Sequence, residues 1–78
     1  MKIVKDLKIV FVEFLDGSSI EVGDYINDGI VLDLKVIEDK SGKKFVKVNY
    51  FENDGVGSIY FNENGMEVEE DDIDFEVF

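Results

Sequence analysis

The sequence predicts a small antiparallel all-β barrel of five to seven short strands, formed as one domain over residues 1–78. Three observations lead there. Asp-Gly, Asn-Asp-Gly, Ser-Gly and Asn-Gly turn signals recur roughly every ten residues, the spacing of a small barrel or sandwich. Residues 30–38 hold the cleanest period-2 pattern, with Ile30, Leu32, Leu34 and Val36 alternating with Val31, Asp33, Lys35 and Ile37. That predicts a strand with the first set in the core and the second mostly in water. The segments between turns are rich in β-branched and aromatic residues, which suit a pleated surface.

The chain is organised around Val22-Gly23-Asp24-Tyr25-Ile26-Asn27-Asp28-Gly29-Ile30-Val31. A Gly-Asp corner leads into an apolar pair, an Asn-Asp-Gly turn follows, and the alternating strand begins. Glycine provides the positive φ of tight turns, and Asp and Asn bond back to their own backbone there.

The remaining elements follow in order. Residues 2–15 carry Ile3, Val4, Leu7, Ile9, Val10, Phe11, Val12, Phe14 and Leu15. Spacing leaves residues 1–7 open between strand and short helix, whereas from Lys8 onward a strand is predicted, with imperfect alternation near Phe11. Asp16-Gly17-Ser18 turns the chain into a short strand, Ser19-Ile20-Glu21-Val22. After residues 30–38, Asp39-Lys40-Ser41-Gly42 turns into a strand over residues 43–52, with Val46, Val48 and Tyr50 inward. Asn53-Asp54-Gly55 leads to a strand over residues 57–62, with Ile59 and Phe61 inward. Glu63-Asn64-Gly65 closes it, and Met66 and Val68 are expected to pack over the barrel edge. Glu69-Glu70-Asp71-Asp72 reads as a solvated acidic bend or one helical turn. Ile73, Phe75 and Val77 then alternate with Asp74 and Glu76, which predicts a final strand.

Val22-Gly23-Asp24-Tyr25-Ile26 followed by Gly29-Ile30-Val31 resembles the loop-and-strand corner of SH3-like barrels, including KOW and Tudor-type modules. The resemblance covers about forty residues and implies a three-stranded meander over residues 30–38, 43–52 and 57–62. KOW modules are basic nucleic-acid binders, and this chain departs from them in charge. An aromatic cage of the Tudor kind would draw on Tyr25, Tyr50 and Tyr60, each also placed to serve as a core or rim residue.

Charge is the strongest compositional signal. The net charge is −11. Through Lys47 eight lysines meet nine acids, and beyond it stand ten acids and no base. Such a surface repels nucleic acid and anionic membrane and attracts basic proteins. Direct nucleic-acid binding and membrane association are therefore not expected. No segment approaches the ~20 apolar residues of a membrane span, and the amino terminus lacks a signal-peptide run. With no cysteine, a cytoplasmic protein is expected.

Histidine and cysteine are both absent, which removes the usual general base, nucleophile and transition-metal ligands. Ser41-Gly42-Lys43-Lys44 is a turn and not a phosphate loop. No catalytic residues, metal site or cofactor are expected. Asn62-x-Asn64-Gly65 followed by Asp71 matches part of a calcium loop, but Tyr60 stands at its first ligand position and Asp71 at the one that needs a bidentate Glu.

Two binding readings survive. In the first, Glu67, Glu69, Glu70, Asp71, Asp72, Asp74 and Glu76 contact a protein partner with a basic surface, carboxylates standing where nucleic-acid phosphates would. In size and charge the chain resembles the small acidic inhibitors that phages encode against restriction and CRISPR nucleases, which implies an inhibitor that mimics DNA or RNA. In the second, the chain is an accessory or structural SH3-like domain. Its partner meets an exposed edge strand or the Tyr25, Tyr50 and Tyr60 surface, and acidity serves solubility. Lys40, Lys43, Lys44, Lys47 and Lys35 are placed to contact an anion, to balance the acidic strands, or to pair with those of a second copy in a weak, salt-sensitive homo-oligomer.

Overall fold

The structure is a computed structural model and describes residues 2–5, 9–26 and 29–73. The strands are β1 (Lys2–Lys5), β2 (Ile9–Glu13), β3 (Ser19–Glu21), β4 (Tyr25–Ile26), β5 (Gly29–Glu38), β6 (Lys44–Glu52), β7 (Gly55–Asn62) and β8 (Glu67–Val68), followed by a 3-10 turn at Glu70–Asp72. They form two antiparallel sheets, ordered β1-β2-β3 and β4-β5-β6-β7-β8. The larger sheet curls into a half-barrel, so the all-β expectation is borne out in a form compatible with a small SH3-like barrel. The segment left open between helix and strand contains a strand at Lys2–Lys5. No helix among the described residues is long and apolar enough to cross a membrane.

The turns are held by their own side chains. Asp39 Oδ1 accepts the backbone N–H of Ser41 and of Lys43, each at 2.9 Å, and the Ser41 hydroxyl at 2.7 Å. Asp16 Oδ1 does the same for Ser18, at 2.8 Å from its N–H and 2.6 Å from its hydroxyl. These are the Asx contacts that make Asp-x-Ser a turn former. The Ser41 hydroxyl is the main reason the Asp39 carboxyl lies below the ordinary aspartate range.

The Gly-Asp corner joins the sheets. Gly23, at φ 100°, donates its N–H to Val31 O at 2.9 Å, and Val31 N–H returns to Asp24 O at 2.8 Å. A second seam ties the β2–β3 turn to the β7–β8 turn through Leu15 N–H and Glu63 O, 2.9 Å apart. The main core sits between the sheets: Val12, Phe14 and Ile20 from one, Val31, Leu34, Val46 and Val48 from the other. Ile59 and Phe61 pack against it as expected. Val12, Val46 and Val48 have no remaining exposure, and each such valine stabilises the fold by about 1.5–3 kcal/mol. The Phe14 and Phe61 rings meet tilted at 52°, with centroids 5.8 Å apart.

Two expectations about β5 need correction. Ile30 and Leu32 are exposed, whereas Val31 is buried. The cause is a register shift: Val31 pairs with Tyr50 but Asp33 with Asn49, so β5 uses one residue more than β6 there. Leu32 is the extra residue of this bulge, and a bulge reverses the in-out phase of the strand beyond it. Odd-numbered residues face the core before the bulge, and even-numbered Leu34 and Val36 face it afterwards. Gly29 also differs from its assigned turn role, since it is not among the positive-φ glycines. A Cβ there would lie 2.6 Å from Phe51 O and 2.9 Å from Tyr50 Cδ2. Gly29 is needed for close approach. Met66, expected at the barrel edge, stands in solvent, while Val68 does pack.

Candidate functional site

The outer face of the five-stranded sheet carries the features that bear on function. The register orders it into rows across the strands. At one end Ile37, Phe45, Tyr60 and Val68 gather with Ile73 into a second apolar cluster, in which Phe45, Tyr60 and Ile73 are buried. Lys35 stands opposite Lys47, with Tyr60 next to Lys47. Then come Asp33, Asn49 and Ser58, linked by hydrogen bonds from Asn49 Nδ2 to Asp33 Oδ2 at 2.9 Å and from Ser58 Oγ to Asn49 Oδ1 at 2.6 Å. At the far end Tyr25, Ile30, Phe51 and Val56 stand side by side on β4, β5, β6 and β7.

The acidic turn is fastened over the first of these ends. Ile73 sinks into the second cluster at 5% exposure, and the turn closes through Asp72 N–H to Glu69 O and Ile73 N–H to Glu70 O. Glu67 lies on β8, Glu69 just before the turn, and Glu70, Asp71 and Asp72 within it; all five are exposed. Asp74 and Glu76, with the expected final strand beyond Ile73, lie outside the described residues. A 3-10 helix has three residues per turn, so the three turn carboxylates splay about 120° apart. They form a fan rather than a line. Among the described residues no three acidic groups converge in a way that could hold a metal ion.

One carboxylate of the fan is tied back. The Tyr60 hydroxyl donates to Glu70 Oε2 at 3.4 Å. Burial pushes the Tyr60 phenol above its ordinary range, and the Glu70 charge adds to the shift. Asp72 lines a groove of about 460 Å³ that also holds Lys43, Lys44, Leu15, Phe45 and Glu63. The lysine-bearing β5–β6 turn and the acidic turn therefore flank one groove. Glu67, Glu69 and Asp71 complete the exposed acidic set.

The other candidate residues fare differently. Asn62 Oδ1 accepts the N–H of Asn64 at 2.9 Å and of Met66 at 3.0 Å, so it serves the β7–β8 turn. Tyr60, at the first position of the calcium-like spacing, is buried. The three tyrosines share no surface. Tyr50 faces the inner side beside Gly57, Tyr60 is in the second cluster, and only Tyr25 is strongly exposed, at 83%. Sequence reasoning missed Ile30, Phe51 and Val56 as Tyr25's companions. Only Val56, between Gly55 and Gly57, carried a local signal.

No protein-family model, curated protein or solved structure matches the chain.

Proposed function

We propose that this chain is a non-catalytic, acidic protein-binding module that blocks a basic nucleic-acid-binding surface of its partner. The observation that carries the reading is the pinned acidic turn: Glu67, Glu69, Glu70, Asp71 and Asp72 are all exposed on a segment anchored through buried Ile73. Charges held on a folded scaffold lose less freedom on binding than charges on a loose tail. A groove shaped for a polyanion gains attraction and association rate from any rigid array of negative charge. On this reading the barrel is SH3-like in the manner of KOW and Tudor-type modules, with its acidic surface reversing the charge of the nucleic-acid-binding members. It acts in the cytoplasm, without cofactor and without touching nucleic acid or membrane itself, as an inhibitor of the kind phages encode.

The test is capture from nuclease-treated host lysate, beside a variant carrying Glu69→Gln, Glu70→Gln, Asp71→Asn and Asp72→Asn. The reading expects a nucleic-acid-binding protein retained by the intact chain and lost by the variant. Equal retention of one partner by both chains removes the acidic turn from recognition and favours the accessory-domain reading, now without its three-tyrosine face.

A further inference from the structure

The apolar row at the opposite end of the sheet face calls for its own explanation. Tyr25 is 83%, Phe51 50%, Val56 66% and Ile30 40% exposed. Pairing places them consecutively across four strands, Tyr25 opposite Ile30, Ile30 opposite Phe51 and Phe51 opposite Val56. Opposite residues in a sheet hold their Cβ atoms about 5 Å apart, so the row is continuous and spans about 14 Å across three inter-strand gaps. Leu32, turned outward by the bulge, widens it. Scattered exposed apolar residues are ordinary, but a contiguous patch rimmed by polar groups marks a contact site.

The rim decides the kind of partner. Val56 shares a shallow groove with Glu52 and Asp54, and Asp33 stands in the adjoining row of the same face. The lysines of this face, Lys35 and Lys47, lie about 13 Å further along the strands. Two exposed aromatic rings edged by carboxylates suit guanidinium groups, which stack on rings and pair with carboxylates in a planar fork. A second copy of this chain is a poorer occupant, because symmetric apposition of the rows brings the acidic rims of the two copies, Asp33, Glu52 and Asp54 on each, together.

We infer that the row of Tyr25, Ile30, Phe51 and Val56, with its rim of Asp33, Glu52 and Asp54, is a docking surface for an arginine-rich protein segment that carries large apolar side chains. This surface is separate from the acidic turn and stands or falls without it.

The experiment titrates the full ¹⁵N-labelled chain with a synthetic peptide of alternating arginine and leucine, followed by amide chemical shifts at physiological ionic strength. Two control peptides replace arginine with lysine, or leucine with serine. The inference expects saturable shifts centred on Tyr25, Ile30, Phe51 and Val56, and weaker binding by both controls. Tyr25→Ser and Val56→Ser, singly and together, are chosen because both side chains lie mostly in solvent. The pair is expected to weaken binding about tenfold with the core amide shifts unchanged. The quadruple acidic-turn variant is expected to bind within about threefold of the intact chain, since separate sites contribute independently. Shifts centred on residues 67–72, undiminished binding by the folded serine variants, no saturation, or row shifts that depend on protein concentration alone would each overturn the inference. Equal lysate capture by the intact chain and the quadruple acidic-turn variant, with the peptide result intact, removes only the acidic-turn reading.

Discussion

Tyr50 lays its ring against Gly57 so closely that a methyl group on that glycine would lie 2.8 Å from the ring's Cζ and hydroxyl oxygen. The two residues face each other in the β6–β7 register, and Gly29 makes room for the same ring from β5. The ring takes the place that a side chain at either glycine would occupy.

Gly57→Ala should therefore destabilise the protein by about 1–3 kcal/mol through overpacking. In a Tyr50→Ala background the same change should cost less than about 0.5 kcal/mol, because the clash is gone. Urea unfolding of the four proteins of this cycle measures it.

The β5 bulge separates two leucines that a simple alternation treats alike. Leu34 is 2% exposed and Leu32 48%. Leu34→Ala should cost about 2–5 kcal/mol, a large fraction of the stability of so small a protein. Leu32→Ser should cost less than about 1 kcal/mol. Thermal unfolding followed by far-ultraviolet circular dichroism distinguishes them, and equal losses would place Leu32 in the core.

Most of the strand order was legible in the sequence because its turns are local chemistry. Asp16 and Ser18, or Asp39 and Ser41, form their bonds within a few residues. The bulge at Leu32 was not legible, since it exists only in relation to β6, where Val31 pairs with Tyr50 and Asp33 with Asn49. The row from Tyr25 to Val56 escaped for the same reason, as its members come from four strands and adjoin only once every register is set. The acidic turn was legible as a solvated bend. Its anchoring through Ile73 was not, because Ile73 read equally well as the start of a strand.

Asp39 gives the acid limb of the stability curve a defined contribution. Its folded-state carboxyl is depressed, chiefly by the Ser41 hydroxyl. Its contribution is thus fully present above the unfolded aspartate value of about 3.9 and is lost as pH falls through the folded value. Asp39→Asn should be less stable than the intact chain at neutral pH, and the gap should narrow below about pH 4. Denaturation midpoints of both proteins across this range provide the check.

Tyr60 reports on the docking of the acidic turn. With its phenol raised by burial and by Glu70, its ionisation should fall above the ordinary phenol value of about 10. The stability associated with it is complete below the unfolded value and is lost as pH rises through the folded one. Glu70→Gln should lower the Tyr60 midpoint without returning it to the ordinary value, because burial is the larger cause. Resolved tyrosine ring shifts in a pH titration would show this, and no movement in Glu70→Gln would mean that the turn does not face Tyr60.

If the acidic surface occupies a partner's nucleic-acid site, this protein and nucleic acid must compete for that partner. A labelled duplex bound to the captured partner is followed by fluorescence anisotropy while this protein is added. Displacement is expected from the intact chain at near-stoichiometric amounts, weakening with added salt, and little displacement from the quadruple Glu69, Glu70, Asp71 and Asp72 variant. A partner that holds both the duplex and this protein at once would contradict it.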